Sequence, residues 1–177
     1  MDKLRQSGIS RIPCVCGAVM ALLLSAVIAA ASTVTVPVRV TFVDPIAISK
    51  VSALQFGSID QNLANSESVT VAPDSTVTDP ADRVEGGLQA AASLTVTATP
   101  GYIITIYVDS DVSGAGYSLT NFRCNYNAGS NGACDGLGYS ETSVTSARLL
   151  VGATLTGDGT AVAGVADGSL DVTIIYH

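Results

Sequence analysis

Residues able to move a proton, hold a metal or act as a nucleophile are scarce in this chain. The single histidine, His177, is also the last residue. A solvated terminal imidazole is a poor general base, so Ser–His–Asp and Cys–His arrangements lack their central member. No glycine-rich loop stands between a strand and a helix, where a phosphate cradle would need it. Asp109-Ser110-Asp111-Val112-Ser113-Gly114 looks like the opening of a calcium loop, but the twelfth position is Thr120. That position requires a bidentate acid, so an acidic turn is the expectation. Asp79, Asp82 and Glu85 fall in a polar stretch and read as surface charge. Lys50, the only lysine beyond the N-terminal region, has no asparagine marked out for a crosslink. The expectation is a non-enzymatic chain with no catalytic residues, cofactor or metal.

Cys124 and Cys134 are the remaining candidates for chemistry. They flank the turn-forming stretch NYNAGSNGA. Their environment is set by the start of the chain. Lys3, Arg5 and Arg11 precede the apolar run Gly17 to Ala30, which ends in Ala29-Ala30-Ala31. A basic head, a short apolar middle and small residues at the exit form a secretory signal, with cleavage expected after Ala31. Cys14 and Cys16 would leave with it. The two later cysteines would then meet an oxidising compartment and form a disulfide.

The region from Ser32 onward has 146 residues, enough for one domain with a sizeable core. Its five basic residues are Arg39, Lys50, Arg83, Arg123 and Arg148, against fourteen acidic ones, a net charge of −9. Such a surface repels nucleic acid and anionic lipid. No membrane span is expected after cleavage.

Val, Thr, Ile, Ser and Gly dominate this region, which favours strands and turns. Strands are expected at 46–50, 54–59, 68–72, 93–99, 102–108, 117–124, 148–156 and 170–176. Turn signals separate them, among them Asp44-Pro45, Pro100-Gly101 and Gly157-Asp158. The stretch from Asp60 to Leu88 reads as mostly loop. Punctuated short strands of this kind predict an all-β chain, a single immunoglobulin-like β-sandwich preceded by a cleaved signal peptide. The expected organisation is a signal peptide at 1–31, an N-terminal extension or strand at 32–43 and a β-sandwich domain at 44–177.

Alternation is clearest at the two ends. Val34, Val36, Val38, Val40 and Phe42 share one face of the first run, with Pro37 confining it to an edge. Leu170, Val172, Ile174 and Tyr176 share one face of the last. Alternating terminal strands serve two arrangements. They complete their own sheet in cis, or one completes the sheet of another copy by β-augmentation, as in donor-strand complementation of pilins. The C-terminus resembles that of chaperone–usher pilus subunits, with Tyr176 penultimate and Gly164 fourteenth from the end.

A second resemblance is to the bacterial secreted family labelled "domain of unknown function 4402". It rests on Pro45–Lys50, Leu54-Gln55-Phe56-Gly57, Leu94–Gly101, Val151–Leu155 and the run from Gly168 through Val172-Thr173-Ile174 to Tyr176. Ala153 stands where that family usually has the second of two adjacent glycines. This resemblance implies an exported β-sandwich and a surface-fibre component, without catalytic residues.

Two functions follow as expectations. One is a structural subunit of a surface fibre or pilus, passing through the periplasm to the cell surface. Its partners would be like subunits in a homopolymer and a periplasmic chaperone, and residues 34–42 would be the donor strand. The alternative is a monomeric secreted adhesin-like module binding through loops such as 125–133 or 60–88.

Overall fold

A computed structural model describes residues 37–111, 116–164 and 168–177, with only the backbone of Asp111. The expected signal peptide and the first knobs, Val34 and Val36, lie outside the described residues. The chain divides into Met1–Val40 and Thr41–His177. Of the first unit, residues 37–40 are described, and they form neither helix nor strand.

The second unit is built from twelve strands among the described residues: β1 (Ala47–Ser52), β2 (Gln55–Ile59), β3 (Ser68–Val71), β4 (Val77–Thr78), β5 (Val84–Ala90), β6 (Ala92–Thr97), β7 (Ile103–Asp111), β8 (Tyr117–Tyr126), β9 (Gly132–Ala133), β10 (Tyr139–Thr142), β11 (Ser146–Gly157) and β12 (Ser169–Tyr176). The larger sheet runs β1-β6-β11-β3-β4, with β8 along the other edge of β11 and β9 beside β8. The second sheet runs β10-β7-β12, and β2 pairs with β5 apart from both. All pairings are antiparallel.

The two main sheets close on one core, which makes the unit an all-β sandwich. Period-two alternation in β11 turns Ala147, Leu149, Val151, Ala153 and Leu155 inward, all buried. The second sheet contributes Ile104, Ile106 and Val108 from β7, Tyr139 from β10 and Ile174 from β12. β8 keeps its apolar side inward across a parity change, with Leu119 half-buried and Phe122, Cys124 and Tyr126 buried. A bulge opposite Ala153, at Asn121 with φ 51°, inserts the residue that makes this possible.

Gly152 is required by a close approach. A Cβ there would lie 2.3 Å from the carbonyl oxygen of Val71 and 2.8 Å from the nitrogen of Pro73. Both are backbone atoms, which cannot swing aside. Ala153 faces the core at 1 % exposure, so its methyl group fills space the core provides.

Three expectations are corrected. Beside the expected β3, the stretch 60–88 holds β4 and most of β5. These two escaped notice because β4 has two residues and β5 carries Gly86-Gly87 across a bulged pairing with β2, which destroys alternation. Asp109 and Asp111 belong to β7 rather than to an acidic turn. Residues 37–46 form no strand, although the run to Phe42 alternates, because no neighbouring strand pairs with them among the described residues.

Substituting Gly152 by alanine is expected to lower stability by about 1–3 kcal/mol through overpacking against β3. A thermal melt of the purified domain followed by circular dichroism checks this, with Ala153→Gly as the comparison that leaves the β3 contact intact.

Candidate functional site

The outer edge of β12 is an open edge of the sandwich. This strand pairs with β7 on one side, and no described strand pairs with the other. The His177 N–H donates to the Ile103 carbonyl at 2.9 Å, and the register continues without a bulge to Ser169 opposite Asp111. Antiparallel geometry then alternates the direction of the backbone groups. Odd-numbered residues of β12 bond to β7. The N–H and C=O groups of Leu170, Val172, Ile174 and Tyr176 point the other way.

The same four residues turn their side chains inward. Ile174 is buried, but Leu170, Val172 and Tyr176 are only partly covered. Across the gap, Ile46 and Ile48 lie on the inward face of the first edge of the larger sheet, and Ile48 remains 37 % exposed. At the Ile46 and Tyr176 end of this edge lies a groove of about 440 Å³, lined by Val43, Asp44, Pro45, Ile46, Ile174, Ile175 and Tyr176. The sandwich is therefore incompletely covered where β1 and β12 approach one another.

Tyr176 closes the end of this groove. Its hydroxyl donates to the Asp44 carbonyl at 3.0 Å and accepts from the Thr99 N–H at 2.7 Å. The Asp44 N–H in turn donates to Thr99 Oγ1 at 2.7 Å. The Tyr176 ring meets Tyr102 edge to face, with centroids 5.8 Å apart. The penultimate tyrosine thus ties the last strand to the segment leading into β1. Gly164, expected in the same assembly strand, lies in the connection before β12. Of the expected donor residues, Val38, Val40 and Phe42 are 84 %, 65 % and 90 % exposed.

Cys124 and Cys134 form the expected disulfide, with Cα atoms 5.8 Å apart and both residues fully buried. The loop they close is tightly pinned. Asn127 and Ala128 have φ of 52° and 58°, and the Gly129 N–H donates to the Tyr126 carbonyl at 2.9 Å. Asn125 Nδ2 donates to the Gly129 carbonyl at 2.7 Å and to Asn131 Oδ1 at 2.8 Å. The Tyr139 hydroxyl donates to the Ser130 carbonyl at 2.7 Å and lies 2.5 Å from Glu141 Oε1. Burial, with the Glu141 hydrogen bond and charge, raises the Tyr139 phenol well above its ordinary value.

Asp60, Glu67 and Asp79 serve as structural ties. Arg83 Nε donates to Glu67 at 2.8 Å and its Nη1 to Asp60 at 3.2 Å, joining the segments before β3 and β5. This guanidinium, with the Ala64 N–H, holds Glu67 below its ordinary value. The Asn62 N–H, with Arg83, does the same for Asp60. Asp79 Oδ2 accepts from the Val84 N–H at 2.7 Å. Lys50 and the His177 side chain are exposed. Among the described residues, no three metal-ligating side chains of His, Cys, Asp or Glu converge, and no helix is long and apolar enough to cross a membrane.

The model of the family described as "Domain of unknown function (DUF4402)" matches residues 46–176. The chain belongs to this family. The match begins at Ile46 on the groove and ends at Tyr176, so it spans the Tyr176 latch from Thr99 onward and all of β12. No curated protein matches the chain.

Two outcomes follow. Replacing Cys124 and Cys134 together by alanine should cost about 2–3 kcal/mol, the loop-closure value for so short a loop, read as a lower denaturation midpoint. The lowered carboxyl groups stabilise the fold above their ordinary values of 4.5 for Glu67 and 3.8 for Asp60. That contribution is lost as pH falls through the still lower folded values. The stability gap between the native chain and Arg83→Gln should therefore be widest near neutral pH and shrink in acid, as melts across a pH series would record.

Proposed function

We propose that this chain is an exported, non-enzymatic structural subunit of a surface fibre, assembled by β-augmentation. In this reading residues 34–42 of one copy add as a strand to the outer edge of β12 in the next. The observation that carries it is the edge itself: outward-pointing backbone groups on Leu170, Val172, Ile174 and Tyr176, above inward side chains left partly bare. A strand entering there meets both needs at once, with backbone groups for the ladder and apolar knobs for the gap beside Ile48.

The magnitudes favour a durable joint. Each buried Val or Phe knob contributes on the order of 1.5–3 kcal/mol, and each added backbone hydrogen bond about 0.5–1.5 kcal/mol net. Ordering the extension and joining two copies offsets part of this. The exposed Phe42 and the strand-free state of residues 37–42 fit a donor segment waiting for an acceptor. Before assembly, a periplasmic chaperone would supply the missing strand. The N-terminal signal-like sequence and the disulfide fit transit through an oxidising compartment.

The full chain, exported to an oxidising compartment, should run in SDS without boiling as a ladder of multiples that collapses on heating. Removing residues 32–42 should leave monomers only. A heat-insensitive monomer from the full chain, or an unchanged ladder after the deletion, would overturn the reading.

A further inference from the structure

A second hollow, of about 360 Å³, lies on the outer face of the larger sheet and is lined by Asp74, Asn125, Asn127, Ala128, Arg148 and Leu150. It shares no residue with the β12 groove. Its polar groups are held in place from below. Arg148 Nε donates at 2.9 Å to Ser93 Oγ, which is 2 % exposed. That bond uses Nε, and among the described residues neither Nη group of the guanidinium has a hydrogen-bond partner. The Arg148 carbonyl accepts from the Asn127 N–H at 2.9 Å, so the pinned loop and the arginine strand are tied together. Asn125 uses both hydrogens of its amide on the loop, which leaves Oδ1 as an acceptor.

Opposite charges line this hollow without neutralising one another. Among the described residues the ion pairs are those of Arg83 with Asp60 and Glu67, and Arg148 and Asp74 form none. Asp74 Oδ1 accepts from the Thr76 N–H at 3.0 Å, which holds the carboxyl ionised and its loop in place. The hollow thus combines in one lining a planar guanidinium donor with carboxylate and amide acceptors. Leu150 and Ala128 add apolar surface to the same lining. A fork of N–H groups matches a carboxylate, ionised and amide acceptors match hydroxyl groups, and an apolar patch matches the C–H face of a ring.

We propose that this hollow binds an acidic sugar residue, with its carboxylate on Arg148, its hydroxyls on Asp74, Asn125 and Asn127, and its ring over Leu150. The disulfide-closed loop is the rigid wall of the site. This assignment stands independently of how subunits join, and it gives the exposed face of such a subunit a ligand.

The test is an NMR titration of the secreted chain with glucuronic acid and, in parallel, with glucose. Glucuronic acid should give saturable shifts at the Asn125 and Asn127 amides and at Arg148 Nε, with a Kd on the order of 1–10 mM, as expected for one monosaccharide. Glucose should bind about tenfold more weakly or not at all. Arg148→Gln should abolish the shifts, and Arg148→Lys, which keeps the charge but loses the fork, should weaken them. Each variant is compared by thermal melt to confirm folding. Equal binding of the two sugars, shifts that persist in Arg148→Gln, or no saturable shift with either sugar would each overturn the proposal.

Discussion

The contact of β11 with β7 across the sandwich sets the geometry of everything else in the domain. β11 borders β6 and β3 on one edge and β8 on the other. Its inward residues Leu149 and Val151, with no exposure, belong to the same buried cluster as Ile104 and Ile106, which have none either. Burial on this scale is the main favourable term in folding. Gly152 lets β3 come close enough to share the strand. The bulge at Asn121 keeps the apolar side of β8 turned to the same core.

The open β12 edge and the hollow at Arg148 are both consequences of that packing. β7 lies between β10 and β12, which places β12 at an edge with its outer backbone groups unpaired among the described residues. Edge strands invite pairing, and natural proteins commonly block them. Here the groove beside the edge is lined by Ile46, Ile174 and the Tyr176 ring, and no charged side chain lines it apart from Asp44. On the opposite face of the larger sheet, the β6-β11-β8 alignment brings Ser93, Arg148 and Asn125 from three strands onto one surface. The disulfide and its turn hold Asn127 and Ala128 beside them.

Much of this was legible from local pattern. The alternation of Leu170, Val172, Ile174 and Tyr176 marked β12, and the turn signals marked most strand boundaries within a residue or two. The cysteine pair followed from the turn chemistry between the two residues and the signal-like pattern of the N-terminal sequence. The hollow was not legible. Arg148 is one outward residue of an alternating strand, and nothing local distinguishes it from a solvated cation. Strands β4 and β5 were missed because short or glycine-broken segments carry no period to read.

Local sequence alone determined the all-β character and the inward face of β12. These follow from side-chain propensity and period, which act over a few residues. Tertiary structure decided which edge stays open, where the Tyr176 hydroxyl finds Asp44 and Thr99, and which side chains meet around Arg148. Those outcomes depend on pairings between residues such as Asp44 and Tyr176, 132 positions apart. Strand order, which no local pattern encodes, is what brings such distant residues together.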